Sequence, residues 1–133
     1  MNYKNFLLIV TILFLNNCST DTFNNNNVSY DFHHKFSSKG FALIYTDDFF
    51  KNKIISKKID QRSLLIFQKN LKKGTTVKIT NLLNNKSLIA NVAGNSIYPN
   101  FNNSVITSRI AVMLELNSKE PYIEITSIPK NSM

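Results

Sequence analysis

The sequence predicts a mainly β domain with one short helix, preceded by a secretory segment and a polar tether. Three observations carry that reading. Thr75 to Thr80 alternates so that Val77 and Ile79 share one face while Thr76, Lys78 and Thr80 share the other, the period of a half-buried strand. Short apolar runs bounded by turn residues recur along the second half of the chain, with Ser63 to Phe67 as the clearest. Helical spacing occurs at Ile110, Met113 and Leu114. With 133 residues, 43% of them apolar, the chain has room for one domain with a core and not for two.

Residues 1–17 read as a signal peptide. Lys4 precedes an unbroken apolar run, Phe6 to Leu15, too short to span a bilayer but of the length of a signal core. The run ends at Asn16-Asn17-Cys18 and resembles a bacterial lipoprotein signal, with Leu15 at the large apolar position before the cysteine. Asn17 departs from the small residue such signals place there. The resemblance implies lipidation of Cys18, the only cysteine, which leaves no intramolecular disulfide to form. Ser19, where an Asp would otherwise stand, resembles lipoproteins sorted to the outer membrane and facing the periplasm.

Residues 18–39 read as the lipidated cysteine and a flexible linker, because the Asn24 to Asn27 run and its Ser, Thr and Asp neighbours offer little to bury. His33 and His34 are the only histidines. Adjacent on an extended chain they point to opposite sides, without cysteine and with few carboxylates nearby, so no metal site is expected.

The folded domain is expected over residues 40–133. Phe41 to Tyr45 has the length of a strand, and Asp47-Asp48 end it in a turn. Phe49 to Arg62 is lysine-rich and reads as a surface loop with a short strand. Ser63 to Phe67 is a buried strand. Gly74 suits the turn leading into a hairpin whose first arm is Thr75 to Thr80. Its second arm, Ser87 to Val92, puts Leu88, Ala90 and Val92 on one face, and Asn84-Asn85 supplies residues that tolerate a left-handed backbone between the arms. Ala93 to Asn100 is a loop by its Gly, Asn and Pro content. Ser104 to Thr107 makes a short strand, and Thr107 or Ser108 caps the helix of the Ile110, Met113, Leu114 stripe. Asn117-Ser118 ends that helix. Pro121 to Thr126 alternates again, with Ile123 and Ile125 toward the core.

The net charge is +8, from 16 Lys and Arg against 8 Asp and Glu. Such a balance favours anionic partners: nucleic acid, acidic headgroups or a carboxylate-bearing wall polymer. The lysines are dispersed, and neither an arginine-rich helix nor an aromatic nucleic-acid motif accompanies them, so nucleic acid is not an expected partner.

From Ser63 to Ile128, the order hairpin, Pro-containing loop, strand, helix and strand resembles the double-psi β-barrel of the rare lipoprotein A family. That family's Leu-Pro-x-Gly-Thr-x-Val-x-Val-Thr-Asn run is echoed by Leu71-Lys72-Lys73-Gly74-Thr75-Thr76-Val77-Lys78-Ile79-Thr80-Asn81. Its Asn-Gly-Lys-Ser turn is echoed by Asn84-Asn85-Lys86-Ser87. The resemblance implies a small six-stranded double-psi barrel with one short helix. Its active members are lytic transglycosylases of peptidoglycan, which need a proton donor for the leaving oxygen and a base to direct the sugar's 6-hydroxyl. The family's histidine position falls on Gln68 and its aspartate position on Gly94, neither of which supplies an acidic proton, so no catalytic residue carries over. Pro99 alone matches the family's aspartate loop, and Val105-Ile106-Thr107 replaces its Asp-Leu-Ser.

The resulting expectation is an envelope lipoprotein that binds peptidoglycan or an envelope protein without cleaving glycan. Lys69, Lys72, Lys78, Tyr98 and Asn100 are the candidate binding residues, since Lys meets stem carboxylates and Tyr stacks on sugar. One alternative is a lytic transglycosylase in which Asp47, Asp48 or Asp60 has taken the acid role; another is a structural lipoprotein docking a division or secretion protein. None of the three calls for a cofactor.

Overall fold

Strand alternation and closure together explain the architecture of the computed structural model, which describes Tyr3 and residues 35–130. Apart from Tyr3, the signal segment lies outside the described residues, as do Cys18, the Asn24 to Asn27 run and His33-His34. The strands are β1 (Ser37–Ile44), β2 (Leu65–Phe67), β3 (Thr76–Asn81), β4 (Ser87–Gly94), β5 (Asn102–Ile106) and β6 (Tyr122–Ser127); the helices are α1 (Asp47–Lys51) and α2 (Ser108–Met113). The strands close a barrel in the order β1-β5-β2-β4-β3-β6, which leaves no free edge.

The pairing pattern has a two-fold character that defines the double-psi barrel. β1 runs parallel to β5 and antiparallel to β6, while β4 runs parallel to β2 and antiparallel to β3. Exchanging β1-β2-β3 for β4-β5-β6 maps each of these pairings onto another, and the antiparallel contacts β2-β5 and β3-β6 each map onto themselves. Each parallel pair also carries one register shift, between Phe41 and Ala42 and between Ile66 and Phe67. Such irregularities bend strands, which a barrel this small requires.

The inward residues form one core. Ala42, Ile66, Val77, Ile79, Ala90, Val92, Ile106, Ile123 and Ile125 are buried, joined by Ile110, Ala111 and Leu114 from α2 and its end. At roughly 2 kcal/mol for each fully buried branched aliphatic side chain, this cluster is the main source of stability. Tyr45, Ile55, Ile59, Phe67, Tyr98 and Val105 make a second cluster. It lies on the outer side of β2 and β5, because Phe67 and Val105 alternate with the inward Ile66 and Ile106. Burial of Ile66 on the inner face and Phe67 on the outer one is why Leu64 to Phe67 reads as an unbroken apolar run.

Several elements differ from the expectations. β1 begins at Ser37, so residues 37–39 of the expected linker belong to the barrel. The structure holds two short helices among the described residues, not one: Asp47 and Asp48 form the first turn of α1, where carboxylates oppose the positive end of the peptide dipoles, and Lys51 sits in its last turn. A helix of 5 residues is too short to display a period. No strand occupies the stretch between α1 and β2, where Ile55 and Ile59 instead cover the outer cluster. β4 runs on to Gly94. Thr107 caps α2, accepting from the Ile110 amide at 3.3 Å. Met113, in the stripe by spacing, is 47% exposed, because α2 turns Ile110, Ala111 and Leu114 inward and ends after Met113.

Candidate functional site

β1, β3 and β5 begin at the same end of the barrel at which β2, β4 and β6 finish, as their pairing directions require. At this proximal end the connections carry Lys35, Lys69, Lys72, Lys73 and Lys130 and no Asp or Glu. The carboxylates with identified partners are engaged by other groups, all but Glu124 away from this end. Asp47 accepts from the Tyr45 hydroxyl, Asp48 faces Lys51 at 4.0 Å, Asp60 accepts from the Arg62 amide, Glu115 pairs with Lys86, and Glu124 accepts from Ser37.

Parallel pairing of β2 with β4 sets Phe67 beside Gly94. One residue further on, the Gln68 amide donates to the Gly94 carbonyl at 3.4 Å. The two positions at which the sequence resemblance leads one to look for a histidine and an aspartate, Gln68 and Gly94, are therefore neighbours in space. Gln68 is buried and held at both ends of its amide: its Nε2 donates to the Asn103 carbonyl at 3.0 Å and its Oε1 accepts from the Asn70 amide. It acts as a tie between the β2-β3 connection and β5. Gly94 has φ +136, a conformation that disfavours a side chain, and a Cβ built on it meets nothing within 4 Å.

Lys69 is the fixed cation of this end. Its ammonium donates to the Tyr98 carbonyl at 2.9 Å and to Asn100 Oδ1 at 2.8 Å, and it lies 4.3 Å from the centre of the Tyr98 ring. All these partners are neutral, so the positive charge is positioned without being cancelled. Tyr98 is 4% exposed. Its hydroxyl accepts from the Lys69 amide at 3.1 Å and donates to the Asn103 carbonyl at 3.3 Å, so the ring is part of the wall beneath Lys69 and not an open stacking face. Burial raises its pKa above the ordinary 10.0, against the lowering effect of the Lys69 amide.

The structure thus brings Lys69, Tyr98 and Asn100 together. Lys72 stands apart from them on a neighbouring cleft of about 720 Å³ that Lys35 and Lys130 also line. Lys78 is on the outer wall, paired in register with Ile89 and Thr126, and does not join the others. Sequence reasoning missed Asn103, whose Nδ2 is buried without a hydrogen-bond partner, and it left Lys35 in the linker. Neither residue lies in a motif. Only barrel closure gives them their neighbours.

Chemically, the proximal end offers positioned N–H donors and ammonium groups. Among the described residues no cluster of three His, Cys, Asp or Glu side chains is placed to hold a metal.

No family model matches the chain, and no curated protein matches it. Among solved structures it is similar to the rationally designed mkDPBB_sym2 protein, with 14% identity over 70% of this chain and 100% of that one and a TM-score of 0.48. The assignment to the double-psi barrel rests on the strand pairing itself.

Proposed function

We propose that this chain is a lipid-anchored protein of the bacterial envelope, resembling the rare lipoprotein A family, whose barrel binds peptidoglycan or an envelope partner through its proximal end without cleaving glycan. The observation that carries the reading is the Lys69 ammonium, held on neutral partners beside a Gln68-Gly94 pair that has no acid group. A cation so placed favours a carboxylate-bearing ligand. Glycan cleavage would need a proton donor at the same place, and an amide and a glycine supply none. Anchoring through Cys18 and an outer-membrane location facing the periplasm complete the reading, from the signal-like Phe6 to Cys18 stretch.

The test is sedimentation of the chain from Ser19 onward with purified sacculi at low salt. Co-sedimentation is expected, and a protein left wholly in the supernatant overturns the peptidoglycan reading in favour of a protein partner, which cross-linking would then capture. Release of 1,6-anhydro sugars from stem-stripped glycan would instead establish a lytic enzyme. Replacing Asp47, Asp48 and Asp60 together with Ala would show whether those carboxylates supply the acid.

A further inference from the structure

We infer that the cleft between Lys35, Lys72 and Lys130 binds the acidic peptide stem of peptidoglycan, so that the protein recognises stem carboxylates and not the sugar backbone. The inference rests on the peptidoglycan reading above and concerns a site beside the Lys69 group.

Three separate segments meet in this cleft. Lys35 precedes β1, Lys72 lies between β2 and β3, and Lys130 follows β6. Closure of the barrel brings them together: the Phe36 amide donates to Ser127 Oγ at 3.0 Å, and the Ser127 amide donates back to the Phe36 carbonyl at 3.0 Å. Lys72 is held by a tight turn in which the Thr75 amide and hydroxyl both reach the Lys72 carbonyl, with Gly74 at φ +84. Among the described residues none of the three ammonium groups faces a carboxylate, and no acid lines the cleft.

The floor is apolar. Phe36 and Leu71 pack against the barrel core, and Ile128 continues their surface. Of the neutral polar side chains on this cleft, Thr75 donates its hydroxyl to the Lys72 carbonyl and Ser127 accepts from the Phe36 amide, which leaves Asn70 and the Ser127 hydroxyl hydrogen to answer a sugar. A neutral glycan, rich in hydroxyls, finds few free neutral partners here. A short peptide with several carboxylates and small aliphatic side chains matches both the cationic rim and the apolar floor.

The experiment compares intact sacculi, sacculi stripped of stems by an amidase, and phosphatidylglycerol vesicles, using the chain from Ser19 onward. Lys35 and Lys130 are exposed and bear no core contacts, so Lys35→Glu/Lys130→Glu changes the rim alone. Lys57→Glu/Lys119→Glu makes the same charge change at exposed sites elsewhere and serves as the control. Expected results are binding to intact sacculi, loss of most of it on stripping, a fall of about ten-fold in the Lys35/Lys130 variant, and a fall below about two-fold in the control. Equal binding to stripped and intact sacculi overturns the stem inference and leaves the peptidoglycan reading standing. Equal losses in the two variants, or tighter binding to vesicles with the same lysine dependence, also overturn it. Absence of binding to any sacculus overturns the peptidoglycan reading itself, and the inference with it.

Discussion

The Gln68 amide donates to the Gly94 carbonyl at 3.4 Å across the parallel β2-β4 pair. Positions separated by 26 residues in the chain are thereby backbone neighbours, and each has its own structural duty: an amide tie at Gln68 and an unusual φ at Gly94. Neither residue carries an acidic side chain, so the pair ties backbone to backbone and moves no proton.

Gly94→Ala and Gly94→Asp are expected to destabilise the barrel by similar amounts, about 1–3 kcal/mol each. At φ +136 the cost comes from backbone strain, and the open space around a Cβ removes any size-dependent clash. Chemical denaturation of both variants checks this. An Asp variant far less stable than Ala would show that space, not φ, is limiting.

Gln68→Leu keeps much of the side-chain volume and removes both hydrogen bonds. The Asn103 carbonyl still receives the Tyr98 hydroxyl at 3.3 Å, so the expected loss is about 1–2 kcal/mol, toward the lower end for a broken buried polar contact. A midpoint unchanged in urea titration would remove the tie from the account of this end.

Lys69→Met preserves the aliphatic stem over Tyr98 and deletes the charge. Sacculus binding at low salt is expected to fall about ten-fold, the worth of one charge-assisted contact, with the thermal midpoint nearly unchanged because the ammonium is only partly buried. Full binding by this variant would detach Lys69 from recognition. Wild-type binding should also weaken steeply as salt is raised.

Two tyrosines predict alkaline sensitivity. Burial raises Tyr98; at Tyr45 burial acts first, reinforced by the hydrogen bond to Asp47 and its negative charge. In both, the folded state keeps the proton more tightly than the unfolded chain. Their contribution is therefore complete below the unfolded value of 10.0 and is lost as pH rises from there through the folded values. Stability measured between neutral pH and pH values above 10.0 should fall at the alkaline end, and Tyr45→Phe/Tyr98→Phe should flatten that fall. An equal slope in the double variant would assign the loss to lysine deprotonation instead.

The hairpin was legible in detail. Val77 and Ile79 are both 0% exposed, Ala90 and Val92 each 1%, and Asn85 takes φ 62 in the turn. Alternation shows itself within a few residues, and Asn is among the side chains that tolerate a left-handed backbone. The turn also uses Asn81 in a way no pattern displays, with its Nδ2 donating to the Leu114 carbonyl at 3.0 Å to hold the end of α2. α1 was not legible, since one turn has no period, and Met113 was misplaced because a helix of 6 residues samples too little of the stripe to fix its phase.

The candidate site divides the same way. Lys69, Tyr98 and Asn100 could be named from residue type, but whether Tyr98 offers a face or forms a wall depended on Asn103 and the Lys69 amide reaching its hydroxyl. By itself the sequence determined where most strands run, though not the absence of one within Phe49 to Arg62, and it determined which hairpin faces turn inward and where the hairpin bends, because these follow from neighbours within a few residues. Tertiary structure alone decided that Gln68 meets Gly94 and that Lys35 meets Lys72 and Lys130. Those adjacencies come from closing six strands into one ring, and the contact that seals Phe36 to Ser127 spans 91 residues, a separation over which no local periodicity carries information.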